Sequence, residues 1–353
     1  MDLDLSSDVV TLTAALVDIA SVSGDEKPLA DAVERALTRL PHLTTRRTGN
    51  TLVARTNLGR QERVVLAGHL DTVPHADNFP SKFSADGTVL HGVGSGDMKA
   101  GVAIQLKLAH DVTEPGRDLT YVFYECEEIQ AERNGLYKLS RSDPGQLAGD
   151  FAILLEGSNA DIEGGCQGTL RAEITVKGAR AHTARSWMGR NAIHAAGEIL
   201  DILRAWEPRQ PVVDGIQYHE GLNAVAVTGG VAGNVVPDEC VVTVNYRFAP
   251  DKSAAEAEAC IRELFGAWPV KVVDLAPGAR PGLTAPVAAS FREAVGGEAR
   301  AKLGWTDVAR FSELGIPAVN YGPGDPAIAH TPGEFVEVAR IRHCEQRLRA
   351  WLR

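Results

Sequence analysis

The chain has 353 residues, of which 44% are hydrophobic and 23% charged, with 36 Lys and Arg against 46 Asp and Glu. That length exceeds one comfortable core and predicts two domains, and the composition is that of a folded globular protein rather than a disordered one. A formal charge of −10 excludes a generic polyanion-binding surface, because phosphate binding needs clustered Lys and Arg; a small anionic substrate would need a local basic pocket.

The first five residues are acidic and lack the basic start and apolar core of a signal peptide. No apolar run approaches the roughly 20 residues that span a bilayer. Cys126, Cys166, Cys240, Cys260 and Cys344 are scattered and never paired as CxxC. They read as reduced, mostly buried thiols, and the expected location is cytoplasmic.

Amphipathic helices are predicted over 8–20 and 27–40, the second with Leu29, Val33, Ala36 and Leu40 at helical spacing. Strand-like runs follow at 50–56 and 63–67, the latter ending in Gly68-His69-Leu70-Asp71. A glycine-rich turn at 91–96 leads into Asp97 and a helix from about Met98 to Asp111. Apolar strands at 119–124 and 151–155 end in Glu125-Cys126-Glu127-Glu128 and in Glu156-Gly157. Strands alternating with helices imply a largely parallel sheet covered on both faces. After Gly164-Gly165 the pattern becomes strand 169–177, a long helix 191–206, strands 224–231 and 239–248, helix 253–265 and strand 270–275. That β-α-β-β-α-β order predicts a small insert with one open sheet under two helices. Pro277-Gly278 and Pro281-Gly282 mark the return to the first domain, which ends in a strand at 316–320, a loop to His330 and a last helix.

The chemistry gathers at strand ends, where ligands collect in open α/β sheets. His69, Glu127-Glu128 and Glu156 directly follow apolar strands, and Asp97 follows the glycine-rich turn. Singly, each has an ordinary explanation: a hydrogen-bonded His, a solvated Glu pair, an Asp capping a helix. Together they fall in one plane of the predicted sheet. Imidazole with several carboxylates is a ligand set for zinc, manganese or cobalt rather than for a thiolate-rich structural site. Asp71 is placed to accept the second imidazole N–H of His69. Adjacent residues of an extended chain point opposite ways, so of Glu127 and Glu128 one is expected to ligate while the other faces an attacking water. The turn 92–97 is not a dinucleotide loop, because the third glycine position of GxGxxG holds Asp97, which would repel a pyrophosphate.

Gly68-His69-Leu70-Asp71-Thr72-Val73-Pro74, Gly96-Asp97-Met98-Lys99, Glu127-Glu128 and the late His330 resemble the M20 family of dinuclear zinc amidohydrolases and peptidases, over nearly the whole chain. The resemblance implies an α/β catalytic domain with a mixed, mostly parallel sheet (1–167 and 281–353), interrupted by a smaller ferredoxin-like α/β domain (168–280) that acts as lid and dimerises. It implies two divalent ions, zinc first, with cobalt or manganese as substitutes. His69 and Glu156 would hold one, Glu128 and His330 the other, and Asp97 would bridge them. Glu127 would be the general base and acid, and Asp71 would orient His69.

Residues 181–185, 189–192, 234–238, 247–250 and 305–311 resemble the desuccinylase branch of that family. By this resemblance His182 reaches the scissile carbonyl from the partner subunit's lid, and Asn234, Arg247 and Thr306 contact substrate in the hydrolysis of an N-succinyl amide. Arg180, Arg185 and Arg190 around His182 are either a solvated face or a local positive field, and Arg suits bidentate carboxylate recognition. The chain departs from many relatives at Trp305-Thr306-Asp307, where Gly-Thr-Ser is common, and at Asp325, near a position often held by Asn. By the same resemblance the first alternative is acetylornithine deacetylase, with the same metal set and a similar lid, and the next is a dinuclear carboxypeptidase or aminoacylase. A non-catalytic binding protein of the same fold is disfavoured by the intact Glu127.

Overall fold

The computed structural model describes residues 2–353. The chain divides into two compact units, the first formed by 1–165, 281–300 and 307–353 and the second by 166–280 and 301–306.

The first unit opens with helices α1 (Val9–Val17) and α2 (Lys27–Thr38). Asp8 caps α1 by accepting the Val10 N–H. A hairpin follows, β1 (Thr44–Thr48) and β2 (Thr51–Arg55), then β3 (Arg63–His69) and the short β4 (Lys82–Phe83) and β5 (Val89–His91). Helix α3 (Ala100–Asp111) begins two residues later than expected, since Asp97 and Met98 have non-helical backbone angles. It is buried on nearly every side, from Ala100 to Ala109, which suits its almost uniformly small and apolar sequence. Gly101 permits this: a Cβ there would lie 2.2 Å from the Leu155 carbonyl oxygen. Next come β6 (Asp118–Tyr124), α4 (Gly135–Ser142), β7 (Phe151–Leu154) and β8 (Glu163–Gly164).

The second unit contains β9 (Gly168–Lys177), the short β10 (Ala181–His182), helices α5 (Ala192–Ala195) and α6 (Gly197–Ala205), β11 (Gly221–Gly229), the short β12 (Val235–Val236), β13 (Glu239–Phe248), α7 (Ala254–Leu264) and β14 (Val270–Ala276). The single helix expected over 191–206 is therefore two, meeting at Ala196–Gly197, where glycine weakens helix continuity. The sheet order β11-β13-β9-β14 is antiparallel throughout. β9 and β13 alternate buried residues with partly or fully exposed ones. Their inward side chains, such as Ala172, Ile174, Val242 and Val244, form one core with Ile199 of α6 and Ile261 of α7. One face carries both helices, the ferredoxin-like arrangement. β11 is an edge strand whose residues 223–229 are exposed.

The chain then completes the first unit with α8 (Pro286–Val295), α9 (Val308–Glu313), β15 (Ala318–Asn320), β16 (Phe335–Glu337) and α10 (Val338–Leu352). Its main sheet runs β1-β2-β6-β3-β7-β15-β8 and is extended at one edge by Arg300. β6, β3, β7 and β15 are mutually parallel, while β1, β2 and β8 run against their neighbours. Every residue of β6 and β7 is buried, as near-continuous apolar runs require in a sheet covered on both faces. A second, three-stranded sheet β16-β5-β4 brings the end of the chain beside the glycine-rich turn. Among the described residues no helix is long and apolar enough to cross a membrane.

Candidate metal centre

The carboxyl ends of β3, β6 and β7 converge in the first unit, and the turn before α3 and the loop after β15 meet them. His69 is the last residue of β3 and is only 1% exposed. Its Nδ1 lies 3.0 Å from the carbonyl oxygen of Asp71 and 3.5 Å from the Asp71 carboxylate. With Nδ1 donating, Nε2 is the nitrogen left to ligate. Nε2 lies 3.1 Å from Oδ1 of Asp97 and 3.8 Å from Oε1 of Glu156. On the other side of Asp97, Nε2 of His330 lies 3.3 Å from Oδ2 of Asp97 and 2.7 Å from Oε1 of Glu128. Thus His69, Asp97 and Glu156 form one group of converging ligand atoms, and Asp97, Glu128 and His330 form another, each within 4.8 Å.

The carboxylate of Asp71 has a larger task than holding the imidazole. Its Oδ1 accepts the Glu127 N–H at 3.0 Å, its Oδ2 accepts the Glu128 N–H at 3.1 Å, and Ser23 Oγ donates at 2.7 Å. Asp71 therefore anchors the Glu127-Glu128 backbone directly, while its own carbonyl meets the imidazole. The expectation that Glu127 and Glu128 point opposite ways is corrected. β6 ends at Tyr124 and Cys126 adopts a left-handed φ of 58°, so 127–128 lie on a turn. Carboxylate oxygens of both lie within 4.8 Å of His69 and of each other.

Charge and burial act strongly here. Burial would raise the Asp97 pKa, but hydrogen bonds from His330 and His69 hold it far below the carboxylate range. Asp97 and Glu128 raise His330 to about 10. Burial would lower His69, yet Asp71, Asp97 and Glu156 outweigh it and push the imidazole up. Burial, followed by the nearby carboxylates of Asp307, Glu156 and Glu128, raises Glu127 well above an ordinary glutamate. The only lysine in this turn, Lys99, is lowered to about 7 by burial and donates to the Ile19 carbonyl at 2.8 Å. So Lys99, the lysine next in sequence to the Asp97 turn, spends its amine on the Ile19 carbonyl rather than on these carboxylates.

This donor set fits divalent cations. Ligands about 2.1 Å from one tetrahedral ion are themselves roughly 3.4 Å apart; the separations of 3.1 and 3.8 Å in one group bracket that value, and those of 2.7 and 3.3 Å in the other lie below it. All donors are imidazole nitrogen or carboxylate oxygen, suited to zinc, manganese or cobalt.

The residues expected to contact substrate lie in the second unit. His182 pairs with Val235 through β10 and β12, and the Thr183 N–H donates to the Asn234 carbonyl at 3.0 Å. His182 and Asn234 are thus neighbours. Nδ1 of His182 accepts the Ala184 N–H at 3.0 Å, leaving Nε2–H as an exposed donor. Arg247 is half-buried on β13, with Nε donating to Asn245 Oδ1 at 3.2 Å and no ion pair among the described residues. The backbone carbonyl of the buried Thr306 meets Cys166 Sγ at 3.6 Å. Arg180 forms a bidentate pair with Asp238, at 3.1 and 2.9 Å, so its charge is already matched.

Two buried carboxylates went unremarked in the sequence as site residues. Asp307, fully buried and pushed up in pKa by that burial, accepts a hydrogen bond from Asn134 Nδ2 at 2.8 Å. Asn134 also caps α4, directly after the Glu127-Glu128 turn. Glu334 accepts from the turn that carries Asp97. Their only signal in sequence is a charge set among small or apolar neighbours.

A doubly covered α/β sheet with two His and three carboxylates at its strand ends defines a metallohydrolase type of site. The chain belongs to peptidase family M20/M25/M40, which it matches over residues 65–353. It is 52% identical over 353 residues to a Mycobacterium tuberculosis protein named succinyl-diaminopimelate desuccinylase DapE, covering 99% of each chain. It is 45% identical over 363 residues to the succinyl-diaminopimelate desuccinylase of Corynebacterium glutamicum, covering 99% of this chain and 97% of that one. Among solved structures, a tripeptidase from Staphylococcus aureus is similar with a TM-score of 0.80 at 19% identity, covering 100% of this chain and 98% of that chain. At that identity the likeness speaks for the fold alone.

Proposed function

We propose that this protein hydrolyses the amide of N-succinyl-LL-2,6-diaminopimelate to succinate and LL-2,6-diaminopimelate, a step of diaminopimelate and lysine biosynthesis. The observation that carries the reading is the 52% identity across 99% of both chains to a relative of that name, joined to a complete set of converging ligands. Two divalent ions, zinc first, are assigned to the groups His69–Asp97–Glu156 and Asp97–Glu128–His330. Bound there, the pair supplies Lewis acidity and acidifies a water towards a pKa of about 7.

The chain's own residues do the rest. Asp71 fixes the tautomer of His69 and holds the Glu127 backbone in place. Glu127 takes the proton of the attacking water and returns it to the leaving nitrogen; its raised affinity for a proton suits that shuttle. His182 of the partner subunit donates Nε2–H to the developing oxyanion, the nitrogen left available by the Ala184 contact. Arg247, Asn234 and Thr306 bind the substrate, Arg247 through one of its carboxylates; burial of its guanidinium supports the reading. The second unit serves as lid and homodimer contact. In support, β11 leaves its edge open, and Val225 and Val227 on it are 56% and 51% exposed beside Ile193 at 41%.

Succinate release from N-succinyl-LL-2,6-diaminopimelate tests the proposal. Activity should vanish on chelation and return when zinc is restored; turnover unchanged by full removal of metal would contradict it.

A further inference from the structure

Glu334 is 1% exposed and takes no part in the chemistry above. Its Oε1 accepts the Gly96 N–H at 2.9 Å and the Asp97 N–H at 3.1 Å. Its own carbonyl accepts the Gly92 N–H at 3.1 Å, and its N–H donates to the Thr331 carbonyl at 3.1 Å. One residue therefore grips both ends of the turn carrying Asp97, four positions after His330 and on the same loop as that ligand. The loop and the turn are packed tightly against each other: a Cβ on Gly324 would lie 2.1 Å from the Gly96 carbonyl oxygen.

A buried carboxylate is costly unless it is hydrogen-bonded, and one that spans two segments fixes their separation. Asp97 and His330 approach at 3.3 Å, but they belong to different segments, and their side-chain geometry depends on how those segments are held.

We infer that Glu334 is a positioning residue that sets the Asp97–Glu128–His330 ion site by locking the His330 loop onto the Asp97 turn. The inference rests on the reading of the cluster as a two-ion centre. Loss of the clamp should loosen the ion held by Asp97, Glu128 and His330 more than the one held by His69, Asp97 and Glu156, because the clamp fixes two ligand segments of the former and only the Asp97 turn of the latter. Residues that orient metal ligands typically change affinity by about 10- to 100-fold when removed.

Zinc titration of the metal-free protein by calorimetry tests this without reference to activity, and cobalt absorption reports ligand geometry. The wild type should take up two ions. E334A should bind the second ion, that of Asp97, Glu128 and His330, about 10- to 100-fold more weakly and the other ion with a smaller loss, with altered cobalt bands. E334Q, which keeps an acceptor oxygen for both N–H groups, should restore the second ion. If E334A fails to fold, E334D shortens the reach while keeping the charge and should show the same loss. Wild-type affinity for both ions in E334A or E334D, with only a lowered melting temperature, would overturn the inference and leave Glu334 a structural residue. A wild type that binds fewer than two ions would overturn the two-ion reading itself, and the inference with it.

Discussion

At the scale of single residues, the division of labour between Glu127 and Glu128 is the sharpest claim. Glu128 lies 2.7 Å from His330 Nε2, whereas burial and the nearby charges of Asp307 and Glu156 raise the proton affinity of Glu127. Glu127→Gln should keep its metal content and lose turnover by about 10²- to 10⁴-fold, the usual contribution of a general acid-base; metal analysis beside an activity assay separates the two. Retained turnover would remove Glu127 from the role. His182→Ala should be inactive alone, and mixed dimers with Glu127→Gln should recover activity at the one intact composite site. His69, Asp97, Glu127, Glu128 and Glu156 were legible in sequence because they follow apolar strands or a glycine turn, whereas His330, on a loop, was legible only through the family resemblance. Asp307 and Glu334 were not, since a buried carboxylate reads as an ordinary surface charge until its neighbours in space are known. The double use of Asp71, by carbonyl and by carboxylate, was beyond sequence for the same reason.

Among elements, β6 and α3 bear most directly on the site. The side chain of Asp118, at the start of β6, accepts from the N–H groups of Leu58 and Arg60 and from the Thr56 hydroxyl. Burial would raise its pKa, but these bonds and the Arg63 guanidinium hold it below the ordinary aspartate value. The folded state therefore binds this proton less tightly than the unfolded chain, whose aspartate pKa is about 3.9. Its stabilisation is full above about pH 4 and is lost as pH falls through the lower folded-state value. Asp118→Asn should cost about 1–3 kcal/mol near neutrality, and the gap from wild type should close in acid, as urea unfolding at several pH values would record. Gly101→Val should destabilise by at least the 1–3 kcal/mol typical of overpacking, because the Leu155 carbonyl occupies the space. The long elements were legible from periodicity and apolar runs. The strands β4, β5 and β16, of two or three residues, carry no period to read. The break between α5 and α6 turns on a single glycine, and α8 was passed over among Pro-Gly signals that mark a boundary equally well.

For the whole molecule, the sequence pattern conveyed two α/β units with one inserted in the other. The structure adds that 301–306, far along the chain from 166–280, belongs to the second unit. A short segment returning to another unit leaves no trace in periodicity, so only the folded chain could reveal it. The open β11 edge makes the assembly testable: the protein should elute as a homodimer with a light-scattering mass twice that of its 37.7 kDa chain, and Val227→Glu should shift it towards monomer. A wild-type monomer would remove the trans role of His182. The reaction itself is tested most directly by kcat/KM of the zinc-loaded protein for N-succinyl-LL-2,6-diaminopimelate beside N-acetylornithine and a set of dipeptides. The expected result is a preference for the succinylated substrate by about 10²-fold or more, as a site built for its charged groups should give. A higher kcat/KM for N-acetylornithine or for any dipeptide would contradict it.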